Sequence, residues 1–283
     1  MKLVRYNCKL TRQVSFRVPL TMSTKPLILL SFVAIAFMAR AASNPSVTAV
    51  VNGASFQPGI EAGSWVAIVG TNLSDTTNQW TAADFNGQTA PTSLSGVSVT
   101  IDGIPAYICF VSPTQINVVA PADSNTGAVP VVVNNKGHAS APATAQLQSF
   151  APGLFMASPG NFALVSRLPD NSTVADPSVV SGAVAAGPGD YVVAWATGFG
   201  VTGPAFQAGV TVSGAPPVAT SPPSISVGGI PAAALLTSLS PGSIGVYSLV
   251  FQVPLNAPSG TVPLQISVGG YQAQAAMIFI AGQ

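Results

Sequence analysis

From Ser46 onward the chain is a succession of short apolar runs parted by glycine and proline, and none carries the 3.6-residue period of an amphipathic helix. Trp65, Ala67 and Val69 alternate with Val66 and Ile68, Val97 to Ile101 forms a second run, and Ile104 to Val111 follows it directly. Between the last two stands Asp102-Gly103. Asp-Gly flanked by apolar alternation is a strong hairpin signal, because a type I′ turn needs positive φ at both central residues. Further strands are predicted at Gln115 to Val119, Val129 to Val133 and Ala143 to Leu147. Later ones are predicted at Tyr191 to Ala196, Ser224 to Val227, Val246 to Gln252, Val262 to Val268 and Ala273 to Ile280. This pattern predicts an all-β chain of immunoglobulin-like antiparallel β-sandwiches, with a barrel as the alternative, since strand spacing does not decide closure.

The pattern is written twice. Gly63, Gly103, Ile104, Pro105 and Ala106 recur 126 residues later as Gly189, Gly229, Ile230, Pro231 and Ala232. Asp102 becomes Gly228, so the position asks for a backbone shape rather than a carboxylate. From Pro121 and Gly127 to Pro254 and Gly260 the offset is 133, which places seven extra residues in the second copy around Ser240-Pro241-Gly242-Ser243, expected in one hairpin. The expected organisation is a first sandwich over 42–151, a linker or satellite hairpin over 152–173, and a second sandwich over 174–283. Phe155, Phe162 and Leu164 within the linker predict that it packs on a domain.

The N-terminus adds a compartment. Lys2, Arg5, Lys9, Arg12, Arg17 and Lys25 precede an apolar run from Leu27 to Met38 and a small-x-small site at Ala39-Arg40-Ala41. This is the pattern of a signal peptide over 1–41, and the run is short of the ~20 residues that span a bilayer. The basic stretch is long for a leader, and a start at Met22 gives an ordinary opening. Removal of the leader leaves Lys136 and Arg167 as the only basic side chains against eight acidic ones, a net charge near −6. Such a chain has no stripe to neutralise phosphates, so nucleic acid is an unsuitable partner, and no transmembrane span remains. Cys8 leaves with the leader, and Cys109 then lacks an intramolecular partner; it reads as a small buried hydrophobe, with an intermolecular disulfide as the alternative.

Three runs resemble a known family: Val51-Asn52-Gly53-Ala54-Ser55-Phe56, Gly63 to Ser74, and Val111-Ser112-Pro113-Thr114-Gln115-Ile116-Asn117-Val118-Val119-Ala120-Pro121. They are similar to the uncharacterised Solibacter C-terminal domain family of secreted acidobacterial proteins. More loosely, Gly70-Thr71-Asn72-Leu73-Ser74 and its counterpart Ala196-Thr197-Gly198-Phe199-Gly200 resemble IPT/TIG immunoglobulin-like domains. The resemblance implies an extracytoplasmic β-sandwich and brings no catalytic residues.

No arrangement of residue types points to catalysis. His138 is the only histidine and lies in the turn Asn134-Asn135-Lys136-Gly137-His138, without the partners a metal site or triad needs. Asp123-Ser124-Asn125-Thr126-Gly127 opens like a calcium loop but lacks the downstream Glu, and reads as an Asx-type turn. Paired carboxylates for glycoside hydrolysis are conceivable through Asp75, Asp84 or Glu61, but Asp75 and Asp84 lie in a polar loop with nothing evident to shift one pKa. No catalytic residue, metal or cofactor is expected. The candidate for ligand contact is the polar loop from Ser74 to Leu94 carrying Trp80 and Phe85. An exposed Trp stacks on sugars or anchors a partner; the competing reading is that both rings pin the loop to the sandwich. Trp65 and Trp195 lie within apolar strands and read as core.

The function these features predict is a secreted or cell-surface binding, adhesion or structural protein. The alternatives are a carbohydrate-binding module or, from another class, a polysaccharide-active enzyme with Asp and Glu converging in one cleft. Partners are unknown beyond extracellular polysaccharide or protein, or self-association through a sheet edge poor in Lys.

Overall fold

A computed structural model describes residues 44–282. The expected signal peptide, its cleavage site and Met22 lie outside the described residues. Within them the chain is all-β, with one 3-10 turn at Ala82–Asp84 and no helix long and apolar enough to cross a membrane.

The first copy builds two sheets. One runs in the order Ser46–Asn52, Trp65–Thr71, Gln115–Val119, Tyr107–Val111, Asn78–Gln79. The other runs Ile60–Glu61, Ala143–Gln148, Gly127–Asn135, Val97–Ile101, Ser93–Leu94. Alternation decides which faces meet: Val97, Val99 and Ile101 are buried beside Val129, Val131 and Val133, while Ser98, Thr100 and Pro130 point outward. Both sheets are open, so the sandwich holds and the barrel alternative falls away.

The second copy repeats the architecture with a separate core around Phe199, Leu249, Phe251, Leu264 and Ile266. Register repeats as well as order. Trp65 pairs with Val119 and, at the shifted positions, Tyr191 pairs with Gln252. Gly127–Asn135 and Gly260–Val268 coincide at the 133 offset. Asp102 and Gly103 have φ of 51° and 77°, and Gly228 and Gly229 have 58° and 82°, as the type I′ reading of the hairpin requires.

Residues of the expected linker join the second copy's sheet. Gly153–Leu154 and Val165–Arg167 both pair antiparallel with Tyr191–Thr197. Phe162 closes a small apolar cluster with Ala157, Ala175 and Ala183, against which Leu164 also packs. Cys109 is fully buried, as its composition suggested, but the expectation of a lone thiol is corrected: it is disulfide-bonded.

Candidate functional site at the junction of the two sandwiches

A strand that buries Val66 and Ile68 in its own sandwich turns Trp65 to the other face. There Trp65 packs in a third apolar cluster, shared between the copies, with Cys109, Phe110, Val119, Phe155, Ile244 and Val246. Trp65 and Trp195 are thus packed as expected, but against the neighbouring copy rather than inside either sandwich. The indole N–H donates to the Ile244 carbonyl at 2.7 Å, and the Trp65 backbone N–H donates to Thr197 Oγ1 at 3.0 Å. The Thr197 hydroxyl in turn donates to the Gly245 carbonyl at 2.8 Å. Ile244, Gly245 and Val246 belong to the connection between Ala234–Leu239 and Tyr247–Gln252, where the second copy holds its extra residues. The connection that carries the insertion is therefore one of the parts of the second copy that grip the first.

Beside this cluster Glu61 is 5% exposed. Its two carboxylate oxygens lie 3.0 and 3.1 Å from the Gly200 backbone nitrogen, which donates across the junction. Burial pushes the Glu61 pKa up to about 8, against the pull of the Gly200 and Ala151 N–H groups. Tyr247 donates its hydroxyl to the Gly200 carbonyl, and its own pKa is raised by burial and then by the Glu61 charge. Glu61, Asp123, Gly200, Phe206 and Tyr247 line a cleft of about 180 Å³. Asp123 Oδ1 accepts from the Asn125 N–H at 2.9 Å, the Asx turn read from the sequence, and Oδ2 is buried without a hydrogen-bond partner among the described residues. A carboxylate at this interface was not foreseen. A signal was present, since Glu61 becomes Gly187 at the repeat offset, so the acid is no part of the shared scaffold.

The Ser74 to Leu94 loop lies over the same junction. Trp80 meets Trp65 edge-on at 6.0 Å between ring centroids, and Phe85 meets Trp80 at 5.0 Å. Both rings are half-buried against the shared cluster. Beyond them the loop reaches the second copy: Ala90 N–H donates to the Gly209 carbonyl at 2.8 Å, Thr211 N–H to the Gln88 carbonyl at 2.9 Å, and Thr89 forms an antiparallel bridge with Val210. Gly209, at φ +72°, lies flat on the Tyr107 ring, where an added Cβ falls 2.4 Å from ring carbons. Gly209→Ala is expected to destabilise the protein by about 1–3 kcal/mol through overpacking and left-handed strain, read from a lowered urea midpoint at unchanged m-value.

The remaining polar candidates are dispersed. His138 is exposed in its hairpin opposite Asn135. Asp75 is held below its ordinary range by hydrogen bonds from Lys136 and Asn135, and Asp84 by the Thr81 N–H and hydroxyl. Among the described residues no group of three or more His, Cys, Asp or Glu side chains is arranged to hold a metal ion. Glu61 and Asp123 are the acidic pair that shares a cleft; Asp75 and Asp84 do not line it.

Two joined immunoglobulin-like β-sandwiches thus define the class of the fold. Residues 45–150 match the family model of the IPT/TIG domain. No curated protein matched the chain. Among solved structures it is similar to SGBP-B from a xyloglucan utilization locus in Bacteroides uniformis, at 17% identity over 84% of this chain and 50% of that one, with a TM-score of 0.26. It is similar also to the surface glycan-binding protein PbSGBP-B from Prevotella bryantii, at 12% identity over 83% of this chain and 41% of that one, with a TM-score of 0.25. Domains 5–6 of the S-layer protein SbsC match at 11% identity over 85% of this chain and 100% of that one, with a TM-score of 0.24. The chain spans half or less of the first two.

Proposed function

We propose that this protein is a non-catalytic binding or structural module that works outside the cytoplasm, with its two sandwiches acting as one rigid unit. The observation that carries the reading is the packed junction, in which Trp65, Thr197 and Ile244 bond the copies across a common apolar cluster. A junction of that kind holds binding surfaces at a fixed separation. The basic and apolar N-terminal pattern supports export, as does the resemblance of the Val51 to Phe56 and Val111 to Pro121 runs to the Solibacter C-terminal family. Trp80 and Phe85 serve as anchors of a clasp rather than as ligand contacts, because Trp80 already meets Trp65 and Phe85 edge-on and both rings pack against the shared cluster. Glu61 acts in the junction, not in acid–base chemistry, since both of its oxygens face the Gly200 N–H.

The test joins three readings on the purified protein: a screen against glycans and cell-wall polysaccharides, sedimentation over a range of concentrations, and release of reducing ends from the same polysaccharides. Glycan binding or concentration-dependent association, without new reducing ends, is the expected result. Release of reducing ends that Glu61→Gln abolishes overturns the non-catalytic reading and returns the enzyme alternative.

A further inference from the structure

A second cleft, of about 400 Å³, opens where the Ser55 to Gly59 turn and Gln148 of the first copy meet Pro152 and the Tyr271 to Ala275 segment of the second. Its frame is fixed from both sides. Asn52, 2% exposed, accepts from the Ala54 and Ser55 N–H groups through Oδ1 and donates to the Ala151 carbonyl at 2.7 Å through Nδ2. Gln274 accepts from the Leu154 N–H at 3.0 Å and donates back to its carbonyl. Gly59, at φ +96°, allows Gln148 to lie against the turn, since a Cβ there falls 2.6 Å from Gln148 Oε1. The walls therefore keep their shape without a ligand.

The chemistry of the lining is narrow. None of the residues lining it is charged. The amides of Gln57, Gln148 and Gln272 line the cleft and make no side-chain hydrogen bond to another described residue. Each offers two N–H donors and an acceptor oxygen. Tyr271 stands at the rim, 39% exposed, tilted against Phe150 at 6.4 Å. Neutral donors and acceptors beside a half-open aromatic face complement a ligand that is rich in hydroxyls, carries no charge and has a C–H face to lay on a ring. A phosphate or carboxylate finds no cation here.

We infer that this cleft, rather than the Trp80 loop, is the binding site of the protein and that it takes an uncharged saccharide chain. The inference rests on the binding-module reading above and gives it a site and a ligand class. Gln57, Tyr271 and Gln272 are exposed, so their replacement leaves the cores intact.

The test is affinity electrophoresis of the purified chain through soluble neutral polysaccharides, namely a mixed-linkage β-glucan, a xyloglucan, a galactomannan and an arabinoxylan, with polygalacturonate as the charged comparison. At least one neutral polymer is expected to retard the protein. Tyr271→Ala is expected to weaken that binding about tenfold or more and Gln57→Ala or Gln272→Ala severalfold, while Trp80→Ala leaves it within about twofold. Full affinity in Tyr271→Ala and Gln57→Ala, or preference for polygalacturonate, overturns the inference. Binding lost in Trp80→Ala alone also overturns it, yet leaves the binding-module reading standing. If folded protein binds none of the neutral polymers the inference fails, and if it also fails to self-associate the broader reading fails with it.

Discussion

Trp65→Ala is expected to lower the stability of the protein by about 3–5 kcal/mol, the largest loss from any single truncation at the junction. The indole is 6% exposed and fills the middle of the shared cluster, so its removal leaves a cavity that two rigid sandwiches cannot close by sliding together. Trp65→Phe retains a ring in the cluster but leaves the Ile244 carbonyl without its indole donor, and about 1–3 kcal/mol is the expected cost. Urea unfolding followed by Trp fluorescence and by far-UV circular dichroism separates the outcomes. In the wild type both probes are expected to report one transition, because the cluster couples the copies. In Trp65→Ala the transition is expected to move to lower urea and to split as each sandwich unfolds on its own core. An unsplit transition displaced by less than about 1 kcal/mol would mean that the junction contributes little.

The second large effect is a pH dependence that Glu61→Gln removes. In the unfolded chain the Glu61 carboxyl titrates near 4.5; in the folded protein it titrates at about 8. The folded state therefore holds a proton that the unfolded chain releases between those values. The stability associated with the neutral carboxyl is full below pH 4.5 and is lost as pH rises through 8. At about 1.4 kcal/mol for each pKa unit the loss amounts to a few kcal/mol. Asp75, Asp84, Asp170 and Asp176 are shifted the opposite way by their hydrogen-bond donors, so their contributions are present above 3.8 and lost as pH falls below it. Urea unfolding from pH 5 to pH 9 thus isolates Glu61. The wild type is expected to weaken from pH 5 to about pH 8 and then level off, and Glu61→Gln to stay nearly level throughout, since the amide oxygen can still accept from Gly200 without carrying a charge. A level wild-type profile would show that the carboxyl is solvated in the folded protein.

The strands were legible because each copy obeys a period of two with punctuation at its turns. Val97 to Ile101, followed by a turn whose two residues both take positive φ, leaves little freedom, and the second copy states the same constraint with Gly228-Gly229. Trp65 was harder. Its apolar neighbours made it look like core, yet on a strand with two apolar faces alternation cannot say which face meets the home sheet and which meets another copy. The seven-residue insertion was visible as a change of offset from 126 to 133, but its purpose emerges only where Ile244 and Gly245 contact Trp65 and Thr197. Glu61 was named from its chemistry alone. Its burial depends on Gly200, which lies 139 residues away in the sequence. The amide cleft left no motif, because Gln57, Gln148 and Gln272 come from separate turns and strands that only the joined copies bring together.

The shared register carries one more consequence. Trp65 and Val119 form a cross-strand pair that the second sandwich covers, and the same pair in the second sandwich is Tyr191 and Gln252, with Tyr191 48% exposed. Among the described residues that second face is the less covered of the two. There the chain writes a hydroxyl where the covered copy has an indole, and an amide where it has a valine. Gln252 donates its amide to the Gly189 carbonyl at 3.0 Å, closing the face on itself. The duplication is thus directional within the described residues, with one face packed on an apolar cluster and the equivalent face carrying polar groups.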